Sequence, residues 1–205
     1  MKILSLFSGI GAFEKALTNL NIDYELVGYS EIDKYASKSY SVIHNVSEDL
    51  NLGDITKIDI SKLPKDITLI THGSPCQDFS ICGLNKGGDK DSGTRSSLMY
   101  ETIKIVDYVK PKYVIWENVK NLLSKTHRHN FDNYLKVMSD LGYMNYWQVL
   151  NAINYGVPQH RERVFVVSVN KDIKVDFKFP HPIELKTTLK DILETNVDDK
   201  YYIID

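Results

Sequence analysis

The chain has 205 residues, room for one sizeable α/β domain but not clearly for two. With 42% hydrophobic and 25% charged residues it can build a core, and no apolar run nears the roughly 20 residues of a membrane span. A net charge of −2 argues against a free-standing nucleic-acid binder, and the two cysteines, Cys76 and Cys82, exclude a disulfide framework and suit a reducing, cytoplasmic setting.

In chain order, Lys2 to Phe7 reads as a buried strand that runs into a glycine turn, Ser8-Gly9-Ile10-Gly11. The start carries no basic head with a small-residue exit, so no cleavable signal is expected. Phe13, Ala16, Leu17 and Leu20 recur at helical spacing. Tyr24 to Tyr29 reads as a second strand ending at Ser30-Glu31, and Asp33 is placed to cap a helix carrying Tyr35, Ala36 and Tyr40. After a Gly53-Asp54-Ile55 turn, a strand at Ile67 to Thr71 leads into a long polar loop from Gly73 to Arg95. Leu98 to Val109 reads as a helix stopped before Pro111, and Tyr113 to Trp116 as a strand. Phe131 to Leu141 reads as a helix ending at Gly142, followed by strands at Tyr146 to Leu150 and Val164 to Val169. This alternation predicts an α/β fold: a doubly wound, mostly parallel sheet covered on both faces, with ligands beyond the carboxyl ends of the strands. Residues 1–170 are expected to form that domain. From 171 to 205 the core pattern fades around Pro180-His181-Pro182, leaving one helix signal at Thr188 to Leu193, and a linker is expected.

The residues with chemistry fall at strand ends. Gly9 and Gly11 let backbone approach a ligand, although the full three-glycine dinucleotide fingerprint and a phosphate-binding lysine are both missing. Glu31, about 20 residues on, is placed for ribose hydroxyls. Asp54 is placed for an adenine amino group. Taken singly, each is as well explained by a tight turn or a solvated acid. Together they describe a nucleoside site without a pyrophosphate cradle, which favours S-adenosylmethionine over NAD.

Cys76 lies in Gly73-Ser74-Pro75-Cys76-Gln77-Asp78-Phe79-Ser80. A polar turn after a buried strand gives packing little reason for a thiol; the plainer alternative is an inert, small hydrophobe. Glu117, in Glu117-Asn118-Val119, ends the next strand and is placed to face that thiol across a cleft. A carboxyl in a dry pocket stays protonated and donates to a ring nitrogen. Arg161 and Arg163, in Gln159-His160-Arg161-Glu162-Arg163, can supply positive charge, unless the run is simply solvated. The stretch from Ser80 to Arg95, with Lys86 and Lys90 among glycines, reads as a lid over a polyanion or as a disordered insertion. No His/Cys spacing suggests a metal site.

These blocks, in this order, resemble the DNA (cytosine-5) methyltransferase family of bacteria and their phages. The match runs through Phe7 to Gly11, Glu31, Gly53-Asp54-Ile55, Pro75-Cys76-Gln77, Arg95 with Leu98, Glu117-Asn118-Val119 and Gln159 to Arg163, covering roughly residues 1–170. The resemblance implies a Rossmann-like fold of the S-adenosylmethionine-dependent methyltransferase type, and transfer of a methyl group to C5 of cytosine in double-stranded DNA through a covalent Cys76–C6 intermediate. It implies that Phe7, Ser8, Gly9, Ile10 and Gly11 hold the methionine end of S-adenosylmethionine, that Glu31 takes the ribose and Ile32 the adenine face, and that Asp54, Ile55, Pro75 and Leu98 complete the cofactor site. Cys76 would be the nucleophile and Glu117 the partner of cytosine N3, with Arg163 near the cytosine carbonyl and Arg161 and Arg95 toward the loop and phosphates. Gln77, Ser80, Asn118 and Gln159 join Arg95 as expected DNA contacts. Ser5 and Ala12 depart mildly from the pattern, where an acid or Asn and a Gly are common. No stretch here matches the family's target-recognition region or its last block. The expectation is therefore the catalytic part of a split or truncated enzyme, with a second polypeptide as a candidate partner. The alternatives are a catalytically incompetent cofactor- or DNA-binding regulatory fragment and an RNA methyltransferase of the same family.

Overall fold

The computed structural model describes residues 1–75 and 98–201. Four apolar segments build the middle of the sheet: β1 (Lys2–Leu6), β2 (Glu25–Ser30), β3 (Leu69–His72) and β4 (Tyr113–Val119). They pair in parallel in the order β2-β1-β3-β4, and β1 and β3 are buried almost throughout, as strands covered on both faces must be. β5 (Tyr143–Asn151) and β6 (Glu162–Asn170) complete a six-stranded sheet, with β6 inserted between β4 and β5 and antiparallel to both. The doubly wound, mostly parallel expectation therefore holds, with β6 alone running against the rest. Only residues 152–161 separate β5 from β6, too few for the helical crossover that a parallel pair needs, so the two strands form a hairpin.

The helices are α1 (Ala12–Asn19), α2 (Lys34–His44), α3 (Met99–Val109) and α4 (Arg128–Asp140). The steps from β1 to β2 and from β3 to β4 run in opposite directions along the sheet. Right-handed crossovers then put α1 and α3 on opposite faces, and the direction of winding changes between β1 and β3. Leu4, Leu6, Ile70, Val106, Val114, Phe131 and Tyr134 pack one continuous core around Trp116. The Trp116 ring lies 4.1 Å from that of Tyr134. Between α2 and β3, where only a turn was expected, three single turns of 3-10 helix (Glu48–Leu50, Ile55–Lys57 and Ile60–Lys62) are capped by Ser47, Asp54 and Asp59.

The first part of the segment after β6 is held against the sheet. The Phe177 ring meets that of Tyr146 of β5 at 5.5 Å in a tilted contact, the Tyr155 hydroxyl donates to the Pro180 carbonyl at 3.1 Å, and the Ile183 amide donates to the Asn154 carbonyl at 2.9 Å. Beyond it, Leu189, Ile192, Leu193 and Tyr201 are exposed. Among the described residues no helix is long and apolar enough to cross a membrane, and no His, Cys, Asp and Glu side chains cluster to hold a metal.

Candidate active site

The site lies at the carboxyl ends of β1 and β3, where the winding reverses. β1 ends in a residue with positive φ, Phe7 (φ 53°), followed by Gly9 (φ 55°) and Gly11 (φ 83°). These left-handed turns swing the chain from the strand into α1. Gly11 is doubly required, because a Cβ there would also lie 2.2 Å from His44 Nε2 and 2.8 Å from the Tyr40 ring. His44 Nε2 in turn meets the Ile10 carbonyl at 3.0 Å, so α2 packs directly on the turn.

A cavity of about 530 Å³ opens beside the turn, lined by Phe7, Ser30, Glu31, Ile32, Asp54, Ile55, Thr56, Gly73, Pro75 and Leu98. Every sequence-predicted cofactor residue from Glu31 onward is in this lining, as is Phe7. Gly9 contributes differently: its amide donates to Glu31 Oε2 at 2.9 Å, while Oε1 accepts from the Asp33 amide at 2.8 Å. Each Glu31 oxygen keeps a lone pair for a further donor. Ile10 and Gly11 line no described cavity; they shape the turn. Asp54 accepts at Oδ1 from the Thr56 amide and hydroxyl, which hold its carboxyl below the usual range, while its Oδ2 lies 3.7 Å from the exposed Lys57 ammonium. Exposed Ile32 and half-buried Leu98 give this lining apolar surface, and Glu31 and Asp54 give it acceptors, a set suited to a ligand with an apolar ring and several hydrogen-bond donors.

A second cavity, of about 540 Å³, shares Phe7 and Gly73 with the first and adds Ser8, Glu117, Arg161 and Arg163. Glu117, near the end of β4, lies beside the turn after β3: its Oε2 is 3.8 Å from where a Gly73 Cβ would stand. Arg163 Nε is 3.1 Å from Glu117 Oε1, and Arg161 Nη2 is 4.0 Å from it. The register explains the approach, since the antiparallel β6 brings Arg163 back along β4 opposite Val119, two positions beyond Glu117. Burial raises the Glu117 carboxyl above its ordinary value, while the charges of Arg163 and Arg161 pull it back. The opposite wall is apolar, with Phe13 and Ala16 of α1 facing Leu150, Tyr155 and Phe165. None of these wall residues stood out in the sequence, because each also fits a plain core position.

Asn118 is placed otherwise than expected. It is 2% exposed, and its amide donates to the Ser74 carbonyl at 3.2 Å. Trp116 Nε1 donates to the Ser74 hydroxyl at 3.0 Å. Strand β4 thus secures the turn after β3, with Asn118 bonded to Ser74. Gln159 is exposed in the β5–β6 connection. Cys76, Gln77, Ser80 and Arg95 lie outside the described residues.

The sequence reading also missed Asn51, which stands behind the first cavity. Its Oδ1 accepts from the Glu31 amide at 3.1 Å and the Gly53 amide at 2.9 Å. Its Nδ2 donates to the Glu31 carbonyl at 3.0 Å and to the Ser37 hydroxyl at 2.9 Å. The available signal was an Asn two residues before a glycine, the pattern of an Asx turn.

A model of the C-5 cytosine-specific DNA methylase family matches residues 1–205. The type II methyltransferase M2.ScrFI of Lactococcus lactis subsp. cremoris is 37% identical to the chain, over 99% of the chain and 70% of that protein. The orphan methyltransferase M.SPRI of Bacillus phage SPR is 40% identical, over 99% of the chain and 52% of its own length. The chain spans about half to two thirds of the curated relatives it matches. Among solved structures, the Entamoeba histolytica methyltransferase EhMeth superposes with a TM-score of 0.78 at 20% identity, over 100% of this chain and 63% of that one. The S. pombe Dnmt2 methyltransferase does so with 0.71 at 21%, over 100% and 62%. At these identities the two likenesses speak for the fold alone.

Proposed function

Because the chain belongs to the C-5 cytosine-specific DNA methylase family, we propose that it carries the catalytic part of a methyltransferase that acts on C5 of cytosine in DNA and uses S-adenosylmethionine. The observation that carries this reading is the junction of the two cavities at Phe7 and Gly73. An apolar, acceptor-bearing cavity and a Glu–Arg pocket meet there, as a reaction between a cofactor and a flipped base requires.

S-adenosylmethionine, when bound, supplies an electrophilic methyl group. Glu31 accepts from its ribose hydroxyls, Asp54 from the adenine amino group, and Ile32 and Leu98 flank the ring. Cytosine C5 is a poor nucleophile inside a stacked duplex, so the base must first leave the stack. Cys76 adds to C6 as the thiolate. As that S–C6 bond forms, electron density leaves the C5=C6 bond for C5 and N3, and Glu117 donates its proton to N3. C5 takes the methyl group that the cofactor would supply, the sulfonium S–CH3 bond breaking to leave S-adenosylhomocysteine; the C5 proton then passes to a base, its bonding pair restores C5=C6 as the S–C6 bond breaks and returns the thiolate, and N3 gives its proton back to Glu117. Arg163 orients Glu117 and faces the cytosine carbonyl, with Arg161 behind it. Gln77, Ser80, Arg95 and Gln159 are assigned to DNA; Asn118 is assigned to the Ser74 turn. Target recognition is assigned to sequence beyond the share of the relatives matched here, on this polypeptide or on a second one.

The test is transfer of labelled methyl groups to duplex DNA and to tRNA. Wild type should label DNA, Cys76→Ser should label nothing, and Glu117→Gln should lose about 10²–10³-fold. Normal turnover by Cys76→Ser would overturn the assignment of the nucleophile. Labelling of tRNA alone would move the substrate to RNA. A folded wild type that binds the cofactor and labels neither would mean that the target-recognition sequence is required; if labelling still fails when that sequence is supplied, the chain is a regulatory fragment.

A further inference from the structure

We propose that Asn51 is a positioning residue for the cofactor: it locks the carboxylate that takes the ribose to the turn that takes the adenine, without touching the ligand. The proposal rests on the nucleoside reading of the first cavity. Asn51 is not in that cavity's lining, whereas Glu31, Asp54 and Ile55 are. Its amide sits instead between the two segments that carry them. Oδ1 accepts from both the Glu31 and Gly53 amides, at 3.1 and 2.9 Å. Nδ2 donates to the Glu31 carbonyl and to the Ser37 hydroxyl, at 3.0 and 2.9 Å. The Glu31 and Gly53 amides and the Glu31 carbonyl agree on one orientation of the amide, since a flipped side chain would oppose two N–H groups to Nδ2 and a carbonyl to Oδ1, while the Ser37 hydroxyl suits either.

The two segments have few other ties. Glu31 follows the last residue of β2, and Gly53-Asp54 follows an isolated bridge between Tyr29 and Asn51. Two further links join them: the Leu52 amide donates to the Tyr29 carbonyl at 2.7 Å and the Ser30 hydroxyl to the Gly53 carbonyl at 2.6 Å, and neither reaches Glu31 itself. Gly53 has φ +68° and open space around its missing Cβ, so its conformation is held by these hydrogen bonds and not by packing. Ser37 carries the tether into α2, and its hydroxyl also meets that of buried Tyr29 at 3.0 Å. Asn51 thus sets the separation of Glu31 and Asp54, and with it the length of nucleoside the cavity accepts. A ligand bearing both a ribose diol and an adenine gains from that fixed separation. A ligand without the diol does not engage Glu31 and gains little.

The experiment measures binding of S-adenosylhomocysteine and of its 2′,3′-dideoxy analogue by calorimetry, with amide hydrogen exchange on the ligand-free full chain. Asn51→Ala should weaken S-adenosylhomocysteine roughly 10–30-fold while changing the dideoxy analogue less than about 3-fold. The Glu31 and Gly53 amides should exchange at least about 10-fold faster, with β1 and β3 still protected. Asn51→Asp, which keeps both acceptor bonds and loses both donor bonds, should fall between Ala and wild type; it carries the test if Asn51→Ala does not fold. If both ligands weaken equally, or neither does, or exchange at Glu31 and Gly53 is unchanged, Asn51 does not position the cofactor. A folded wild type that binds neither ligand overturns the cofactor reading itself, and this inference with it.

Discussion

Beneath the site, His72 is fully buried and stacks on Trp116 with its ring 5.7 Å away. Its Nε2 meets the Tyr134 hydroxyl at 3.1 Å, and Nδ1 has no hydrogen-bond partner among the described residues. Burial pushes the imidazole from its ordinary value down to about 3, so the folded protein holds it neutral. The unfolded chain takes up that proton first. Stability attributable to this group is therefore complete above the unfolded value near 6.5 and is lost as pH falls from there toward 3, by about 1.4 kcal/mol per pH unit at most. Replacing it as His72→Phe should flatten the acid limb of a urea-unfolding series between pH 6.5 and 4. The same change should cost about 1–3 kcal/mol at pH 7.5, because Tyr134 is left buried without its partner. An acid limb as steep in the variant as in wild type would place the titrating group elsewhere.

At the scale of elements, α2 shows what a local signal can fix. Asp33 was marked as a cap because a short acid precedes a helical pattern, and its Oδ1 accepts from the Tyr35 and Ala36 amides, both at 2.8 Å. Asp33→Ala should cost about 1 kcal/mol in chemical unfolding, with Asp33→Asn recovering most of it. Equal stability of Asp33→Ala and wild type would mean that α2 is held by Tyr40 packing on Tyr29, at 4.0 Å, and not by its cap. Signals of this kind, confined to a few neighbouring residues, were legible: the glycine turn, the acid after β2, the Gly-Asp turn and the strands and helices between them. Relations between distant segments were not. Periodicity cannot show that β6 slips in beside β4, although that insertion is what brings Arg163 to Glu117. Nor can it show that Asn118, in the middle of a motif, turns inward to Ser74. Asn51 escaped for the same reason, since its partners Glu31 and Ser37 lie on other elements. Phe177 and Ile183 read as linker because they carry no helical or strand period, yet each finds a contact across the fold.

For the molecule as a whole, the reversal of winding between β1 and β3 brings the two cavities together at Phe7 and Gly73. Among the described residues, the lining of the proposed cofactor cavity comes from the ends of β1, β2 and β3, the Asp54 turn and Leu98. Ligand binding there should stabilise the chain by mass action whether or not methyl transfer follows. At a ligand concentration near one hundred times Kd the gain is about 2.7 kcal/mol. For a domain of this size that corresponds to a rise in melting temperature of roughly 5–10 °C. S-adenosylhomocysteine should produce this rise in the chain alone, without DNA. Glu31→Ala, which removes the carboxylate bridging the Gly9 and Asp33 amides, should abolish most of it at the same ligand concentration. Glu117→Gln, on the far side of Phe7 and Gly73, should leave it within about 2 °C of wild type, because that carboxyl serves the base and not the nucleoside. If Glu117→Gln loses the shift as fully as Glu31→Ala does, the two cavities do not divide the work between cofactor and base, and the separation of roles at Phe7 and Gly73 is wrong.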